Sequence, residues 1–192
     1  MPLPFGHSLM GYTLYETLEQ KRERTSWATV LLFAVVANLP DIDFLPGFLV
    51  GNPNLYHHHY LSHSLGAALV VGALLGGYYA WRKDKSFLGY FLIFTTVYFS
   101  HVVLDYFTQD TSGPFGVPMF WPFSKEFVIS PVPIFLSVHK VGRSDVFFQN
   151  LFVVHNLLVA VWEVVVFLPV LAVVKLVKFR KKLLLRIADE KN

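Results

Sequence analysis

Three long apolar runs dominate the hydrophobic pattern of the chain. Residues 64–81 carry no charged side chain, and residues 87–104 and 147–174 together carry only two histidines and one glutamate. Each run is long enough to cross about 30 Å of hydrocarbon as a helix. The pattern therefore predicts three membrane-spanning helices.

Two shorter apolar segments precede these runs. Leucine and tyrosine recur at helical spacing over residues 8–20, and residues 27–39 are mostly apolar. Ser26 can cap this second helix, and Pro40 ends it because the residue before proline leaves the helical region. Residues 41–61 are rich in proline, glycine and asparagine, which predicts a loop.

The remaining connections complete an all-α bundle of about five helices in one membrane-embedded domain, residues 1–192. The charged residues 82–85 predict a tight turn between antiparallel third and fourth helices. Residues 108–145 contain five prolines and many aromatics, as expected of a long functional or interfacial loop. Helix five is predicted to start near Val146 and to run into a basic cytoplasmic tail, residues 175–192.

Composition and charge support a membrane protein with a defined orientation. The chain is 54% hydrophobic and 15% charged, which is too apolar for an ordinary soluble domain of this length. Threading the helices places 13 Lys and Arg on one side and 3 on the other, so the positive-inside rule makes the first side, with the C-terminus, cytoplasmic. The basic clusters abut apolar spans and are interpreted as membrane anchors, with no nucleic-acid partner expected. A multi-pass protein of the cytoplasmic (inner) membrane follows.

Histidines and aspartates collect at the opposite, non-cytoplasmic end of the predicted bundle. An up-and-down path brings the starts of helices one, three and five next to the ends of helices two and four. The candidate ligands at these points are His7, Asp41, Asp43, His57, His58, His59, His63, His101 and Asp105. Hydrophobic patterning alone does not require this concentration.

Each motif has a metal interpretation and a structural one. His101 and Asp105 are four apart on one helix face, where they can share a cation or hydrogen-bond to each other. The histidine-rich segment 57–63 is either a polar loop with Ser62 as a helix cap or a set of metal ligands. Convergence of all motifs favours a divalent metal. Because the chain has no cysteine, nitrogen and oxygen donors suit Zn²⁺ first, with Mn²⁺ or Fe²⁺ as alternatives, in a site of one or two ions.

These motifs, in this order, resemble a known family. They are similar to the signature of the YdjM-type (LexA-binding, inner-membrane-associated) metal-dependent hydrolases, over about residues 5–135. The matching stretches are Phe5-Gly6-His7-Ser8-Leu9, Leu39-Pro40-Asp41-Ile42-Asp43, residues 58–64, residues 100–105, and Gly116-Val117-Pro118 with Trp121-Pro122. That family is distantly similar to zinc-dependent phospholipase C and zinc-dependent single-strand nucleases, which implies phosphoester hydrolysis.

The resemblance also implies roles for individual residues. The implied primary metal ligands are Asp43, His63, His101 and Asp105, with His7 and Asp41 near a second metal. His58 matches the histidine of the family's His-Arg pair and is a candidate catalytic residue. His59 stands where the family has arginine, and a neutral histidine would bind phosphate less well.

The leading functional hypothesis is a membrane hydrolase that cleaves a phosphoester of a lipid or lipid-linked substrate with metal-activated water. Asp41 is a candidate general base. The aromatics Phe120, Trp121 and Phe123 are predicted to cover a site sunk below the membrane surface. The alternatives are a non-enzymatic divalent-metal-binding or transport protein, in which Glu163 is the midspan candidate, and an adaptor that binds a regulator through its tail.

Overall fold

The predicted all-α architecture is confirmed by a computed structural model that describes residues 2–18, 25–56, 61–84, 86–111, 113 and 115–189. Its five longest helices match the predicted number. The α-helices are α1 Pro4–Leu18, α2 Trp27–Asn38, α3 Leu45–Leu49, α4 Leu65–Lys83, α5 Phe87–Tyr106, α6 Phe147–Leu151 and α7 Val154–Asp189. Two 3-10 segments, Leu39–Phe44 and Pro53–Leu55, flank α3.

The helices pack around one apolar core beside the candidate site. Helices α4 and α5 form the predicted hairpin, and α2 packs against both α1 and α5. The buried core side chains are Tyr15, Phe33, Val36, Ala37, Ala68, Phe94, Val97 and Tyr98. Gly76 permits close approach within the hairpin, because a Cβ there would lie 2.7 Å from the backbone nitrogen of Phe91.

Three helical stretches are long and apolar enough to cross a membrane: Trp27–Leu49, Phe87–Tyr106 and Val154–Leu184. The second agrees with the predicted span, whereas the third begins at Val154 and not near Val146, because residues 147–151 form the separate helix α6. The first differs, because α2 continues through the 3-10 segment into α3 and becomes longer than the predicted 13 residues. Helix α4 is not among the three, since its four glycines, two tyrosines and terminal Arg82 and Lys83 lower its hydropathy.

The segment after α2 corrects the predicted loop over residues 41–61. Pro40 ends the α-helix as expected, but the chain tightens into the 3-10 segment Leu39–Phe44 instead of leaving the helical region. A 3-10 helix has three residues per turn, so two residues correspond to a rotation of about 240° around its axis. Side chains two positions apart therefore point in directions about 120° from each other. Asp41 and Asp43 therefore face different directions, although both are buried.

The long segment between α5 and α6 is irregular but tied to the bundle. The backbone nitrogens of Leu65 and Gly66, at the start of α4, donate to the carbonyls of Met119 and Trp121, each at 2.8 Å. Isolated bridges pair Thr108 with Phe135, and Val117 with Val128. The loop is thus fixed against the end of the bundle that carries the candidate ligands.

The last helix extends into the predicted basic tail. Basic residues from 175 onward continue α7 as far as Asp189. The side chain of Lys178 lies 2.8 Å from Glu16, and the ammonium of Lys175 lies 5.3 Å from the ring centre of Tyr12, so this part of α7 packs against the end of α1.

Candidate metal centre

Side chains from four separate segments meet as the sequence predicts. His7 lies in the second turn of α1, Asp41 in the 3-10 segment after α2, His63 just before α4, and His101 and Asp105 in the last turns of α5. All five are buried. Two overlapping groups have donor atoms within 4.8 Å of one another: Asp41, His63 and His101, and His7, His101 and Asp105.

In His63 and His101, the two central histidines, a partner at Nδ1 fixes the orientation of the ring. His101 Nδ1 lies 2.7 Å from the carbonyl of Ala37, which can only accept, so Nδ1 carries the proton. His63 Nδ1 lies 3.1 Å from a carboxylate oxygen of Asp43 and is protonated for the same reason. Both Nε2 atoms therefore turn toward each other, at 3.2 Å. A backbone carbonyl or carboxylate behind the ring is the usual support of metal-binding histidines.

Oxygens of two aspartates lie close to the paired Nε2 atoms of His63 and His101. His63 Nε2 lies 3.4 Å from Asp105 Oδ2 and 3.6 Å from Asp41 Oδ1. His101 Nε2 lies 3.2 Å from the same oxygen of Asp105 and 3.5 Å from that of Asp41. In a tetrahedral zinc site with bonds of about 2.0–2.2 Å, neighbouring ligand atoms are about 3.3–3.6 Å apart. The distances from the two imidazoles to each carboxylate are of this size, and the two overlapping groups of donors contain one of these aspartates each.

The electrostatics of the cluster also favour a cation. Burial alone would lower the pKa of His63, but contacts with Asp41 and Asp43 raise it above its ordinary value. The same negative field attracts a metal ion. A proton on one Nε2 can be shared only with the oxygens next to that nitrogen. A cation beside both imidazoles would be attracted by the carboxylates of Asp41 and Asp105 together.

The two aspartates near α2 contact opposite nitrogens of the His63 ring. Asp41, expected at a second metal, contributes Oδ1 to the four donor atoms. Asp43, expected among the primary ligands, instead contacts His63 from behind and accepts a hydrogen bond from the Ser62 hydroxyl at 3.1 Å. The predicted capping role of Ser62 also moves, since Ser64 is the cap of α4 and its hydroxyl accepts from the Ala67 nitrogen.

His7 lies at the edge of this cluster, beside Asp105. Its ring stacks on that of His101 with centroids 3.6 Å apart, and its Nε2 lies 3.7 Å from Asp105 Oδ1. Neither ring nitrogen of His7 has a hydrogen-bond partner within the described part of the chain. Asp105 thus directs one oxygen to the four-atom group and the other to His7, as carboxylates between two metals do.

The remaining predicted residues lie outside the described part of the chain or are described at other positions. His58, the second candidate catalytic residue, lies outside the described residues, as do His57 and His59. Of the aromatics expected to cover the site, Trp121 packs at Gly66, where an added Cβ would meet its ring at 2.6 Å. Phe120 and Phe123 do not form a sealed lid, with side chains 48% and 80% exposed.

Glu163, the midspan carboxyl in the sequence, supports the first turn of α1. Its Oε1 accepts a hydrogen bond from the backbone nitrogen of Leu3 at 2.6 Å. A Cβ on Gly6 would lie 2.8 Å from the Glu163 carboxyl group, so only glycine allows this approach. A carboxyl group at a helix N-terminus is electrostatically favourable. Because His7 follows Gly6, the contact fixes where the imidazole lies.

Removing this support should affect stability more than metal binding. Glu163→Leu is expected to lower the free energy of unfolding by about 1–3 kcal/mol, because the part-buried Leu3 amide loses its acceptor. Glu163→Gln keeps an acceptor oxygen and should stay close to the parent. Thermal unfolding in detergent and metal analysis test both variants, with exposed Glu126→Gln as the control. Complete metal loss in Glu163→Gln would contradict the anchoring role.

Comparisons with known proteins place the chain in context. A family model described as YdjM inner membrane protein matches residues 1–182. No match was found among curated proteins or among solved structures.

Proposed function

The chain belongs to the YdjM inner membrane protein family, and from this membership and the buried cluster we propose that it is a membrane-bound, metal-dependent hydrolase. The observation that carries the proposal is the meeting of His63 Nε2 and His101 Nε2 at 3.2 Å, with oxygens of Asp41 and Asp105 around them. Both imidazoles turn Nε2 toward the same region, where a cation could bind the two nitrogens once they are deprotonated.

The proposed centre contains Zn²⁺, with Mn²⁺ or Fe²⁺ as alternatives. The donors are nitrogen and oxygen, and the distances between the imidazole nitrogens and the carboxylate oxygens are of the size found between zinc ligands. When bound, such an ion acts as a Lewis acid on a phosphoryl oxygen and lowers the pKa of water. Asp105 and His7 provide donors for a second ion next to the first.

Other residues of the site orient the imidazoles and accept a proton in the proposed reaction. Ala37 and Asp43 hold the two imidazoles in the tautomer that leaves Nε2 available. Asp41 lines a cavity as well as the donor group, so its carboxylate is the nearest candidate to accept a proton from water beside a bound substrate. Burial of the whole cluster excludes bulk water and strengthens each of these interactions.

The proposed substrate is a phosphoester of a lipid or lipid-linked molecule. Three candidate membrane spans put the protein in the bilayer, where such substrates are concentrated. The ligands lie at the end of the bundle away from the basic turn at Arg82 and Lys83, so the proposed site faces the non-cytoplasmic side.

A divalent-metal carrier would use the same ligand types, but a carrier needs ionisable groups along a path through the membrane. Glu163, the residue best placed for such a path, accepts a hydrogen bond from the Leu3 nitrogen at the start of α1. This contact favours a fixed site over a transport path.

Metal analysis of the protein purified in detergent, combined with an activity screen, tests the proposal. We expect one or two equivalents of bound Zn²⁺, Mn²⁺ or Fe²⁺ and hydrolysis of phosphomonoesters or phosphodiesters with lipid-like leaving groups. Chelation should abolish activity, and adding back the metal should restore it. Metal-loaded protein that cleaves no phosphoester but carries the ion across vesicles would favour the carrier instead.

A further inference from the structure

The residue before His63 is hydrogen-bonded to the helix that carries two other candidate ligands. The phenol of Tyr98, in α5, donates to the carbonyl oxygen of Ser62 at 2.9 Å. Tyr98 precedes His101 by three residues and Asp105 follows it by four, so these side chains lie along one face of α5. One helix therefore supplies two candidate ligands and a hydrogen bond to the segment that carries a third.

Ser62 is held at its side chain as well as at its backbone. Its hydroxyl donates to Asp43 Oδ2 at 3.1 Å and lies 3.1 Å from His63 Nδ1. The same Asp43 oxygen lies 3.1 Å from His63 Nδ1, so each of these three polar atoms is close to the other two. Asp43 belongs to the 3-10 segment Leu39–Phe44. Ser62 thus connects α5 to the segment after α2, directly before His63.

Tyr98 itself is fixed by the apolar core of the bundle. Its side chain is buried, and it belongs to the core cluster to which α1, α2, α4 and α5 contribute. A buried hydroxyl without a partner is costly, so its hydrogen bond to the Ser62 carbonyl is favoured strongly over an unpaired phenol. The position of Ser62 relative to His101 is therefore set by the packing of the core.

His63 needs such support more than the other histidines of the cluster. His7 and His101 lie inside α1 and α5, where the helix fixes the backbone, whereas His63 precedes α4 and lies outside a helix. Ligands on helices are placed more precisely than ligands on loops, unless other residues hold the loop.

We propose that Tyr98 and Ser62 are positioning residues of the metal centre, which together hold the His63 imidazole with Nε2 toward His101 before an ion binds. This inference rests on the proposed metal-dependent function and extends it to two residues that are not among the metal donors. Residues that orient a ligand in this way contribute to metal affinity although they do not touch the ion.

The alternative is that Tyr98 serves only the packing of the bundle. A packing role predicts the same loss of stability in the metal-free and the metal-loaded protein, with unchanged affinity for the ion. A positioning role predicts that metal stabilises the variant less than it stabilises the parent, because an ion that binds the folded state more weakly protects it less. Thermal unfolding with and without metal separates the two roles.

The test is a titration of Zn²⁺ or Co²⁺ into chelator-treated, detergent-purified protein. Tyr98→Phe keeps the ring in the core and should weaken metal affinity by about 10- to 100-fold, as should Ser62→Ala. Ser62→Thr keeps a hydroxyl and should recover most of the affinity. Because both residues act on His63, the variant that combines Tyr98→Phe with Ser62→Ala should lose less than the product of the two single losses.

Tyr90→Phe is the matched control, because it removes a hydroxyl from the same helix about two turns from Tyr98 and should leave metal affinity unchanged. Parent-like affinity in Tyr98→Phe and Ser62→Ala would overturn the proposal and leave the metal centre intact. Losses that multiply in full would show that the two residues act independently, and would overturn their joint role. A parent protein that binds no divalent ion would instead overturn the metal-dependent function on which the proposal rests.

Discussion

Asp105→Asn is expected to strip most of the metal from the protein and to lower phosphoesterase activity by about 10³-fold or more. Asp105 directs Oδ2 to both central imidazoles, at 3.2 and 3.4 Å, and Oδ1 toward His7 at 3.7 Å. Asparagine keeps the volume and removes the charge that offsets a divalent ion. Loss of metal removes several kcal/mol of transition-state stabilisation, which corresponds to this change in rate.

The fold of this variant should survive, because the bundle is held by the apolar core and not by the cluster. Metal content, thermal unfolding and activity are measured on the same detergent-purified sample. His139→Ala is the matched control, since its exposed side chain lies outside the cluster. Parent-like metal stoichiometry and affinity in Asp105→Asn would refute the shared site and the hydrolase mechanism built on it.

Much of the fold follows from local sequence pattern, and the errors have local causes. The run 87–104 predicts α5 well because hydrophobicity alone determines a span. α1 begins at Pro4, four residues earlier than predicted, since proline is tolerated in the first turn of a helix. α7 continues through the basic residues beyond 175, because lysine, leucine and arginine are good helix formers.

Some features of the candidate site also follow from local sequence, whereas others depend on contacts between residues far apart in the chain. The pairing of His101 with Asp105 follows from spacing on one helix, and the meeting of segments follows from up-and-down threading. The contact between Leu3 and Glu163 joins residues far apart in the chain, so no local pattern predicts it. The sequence signal for it is a carboxyl group in midspan.

The second large expected effect is the loss of metal when the aspartates of Leu39–Phe44 are replaced. Asp41→Asn is expected to lose metal as severely as Asp105→Asn, because Asp41 Oδ1 is one of the four central donors. Asp43→Asn should weaken metal affinity by about 10- to 100-fold and still load at high metal concentration, since a supporting carboxylate orients a ligand without binding the ion. The family resemblance instead implies that Asp43 is a primary ligand and that Asp41 lies near a second metal.

The contrast follows from the 3-10 geometry and can be measured by titrating Co²⁺ or Zn²⁺ into each variant. Two residues apart on a 3-10 turn, the carboxylates cannot point to the same atom, so one faces His63 Nε2 and the other Nδ1. Asp145→Asn, an exposed carboxylate paired with Arg143, is the control and should bind metal normally. Equal losses in Asp41→Asn and Asp43→Asn would mean that both carboxylates bind the ion directly, and a complete loss confined to Asp43→Asn would restore the assignment made from sequence.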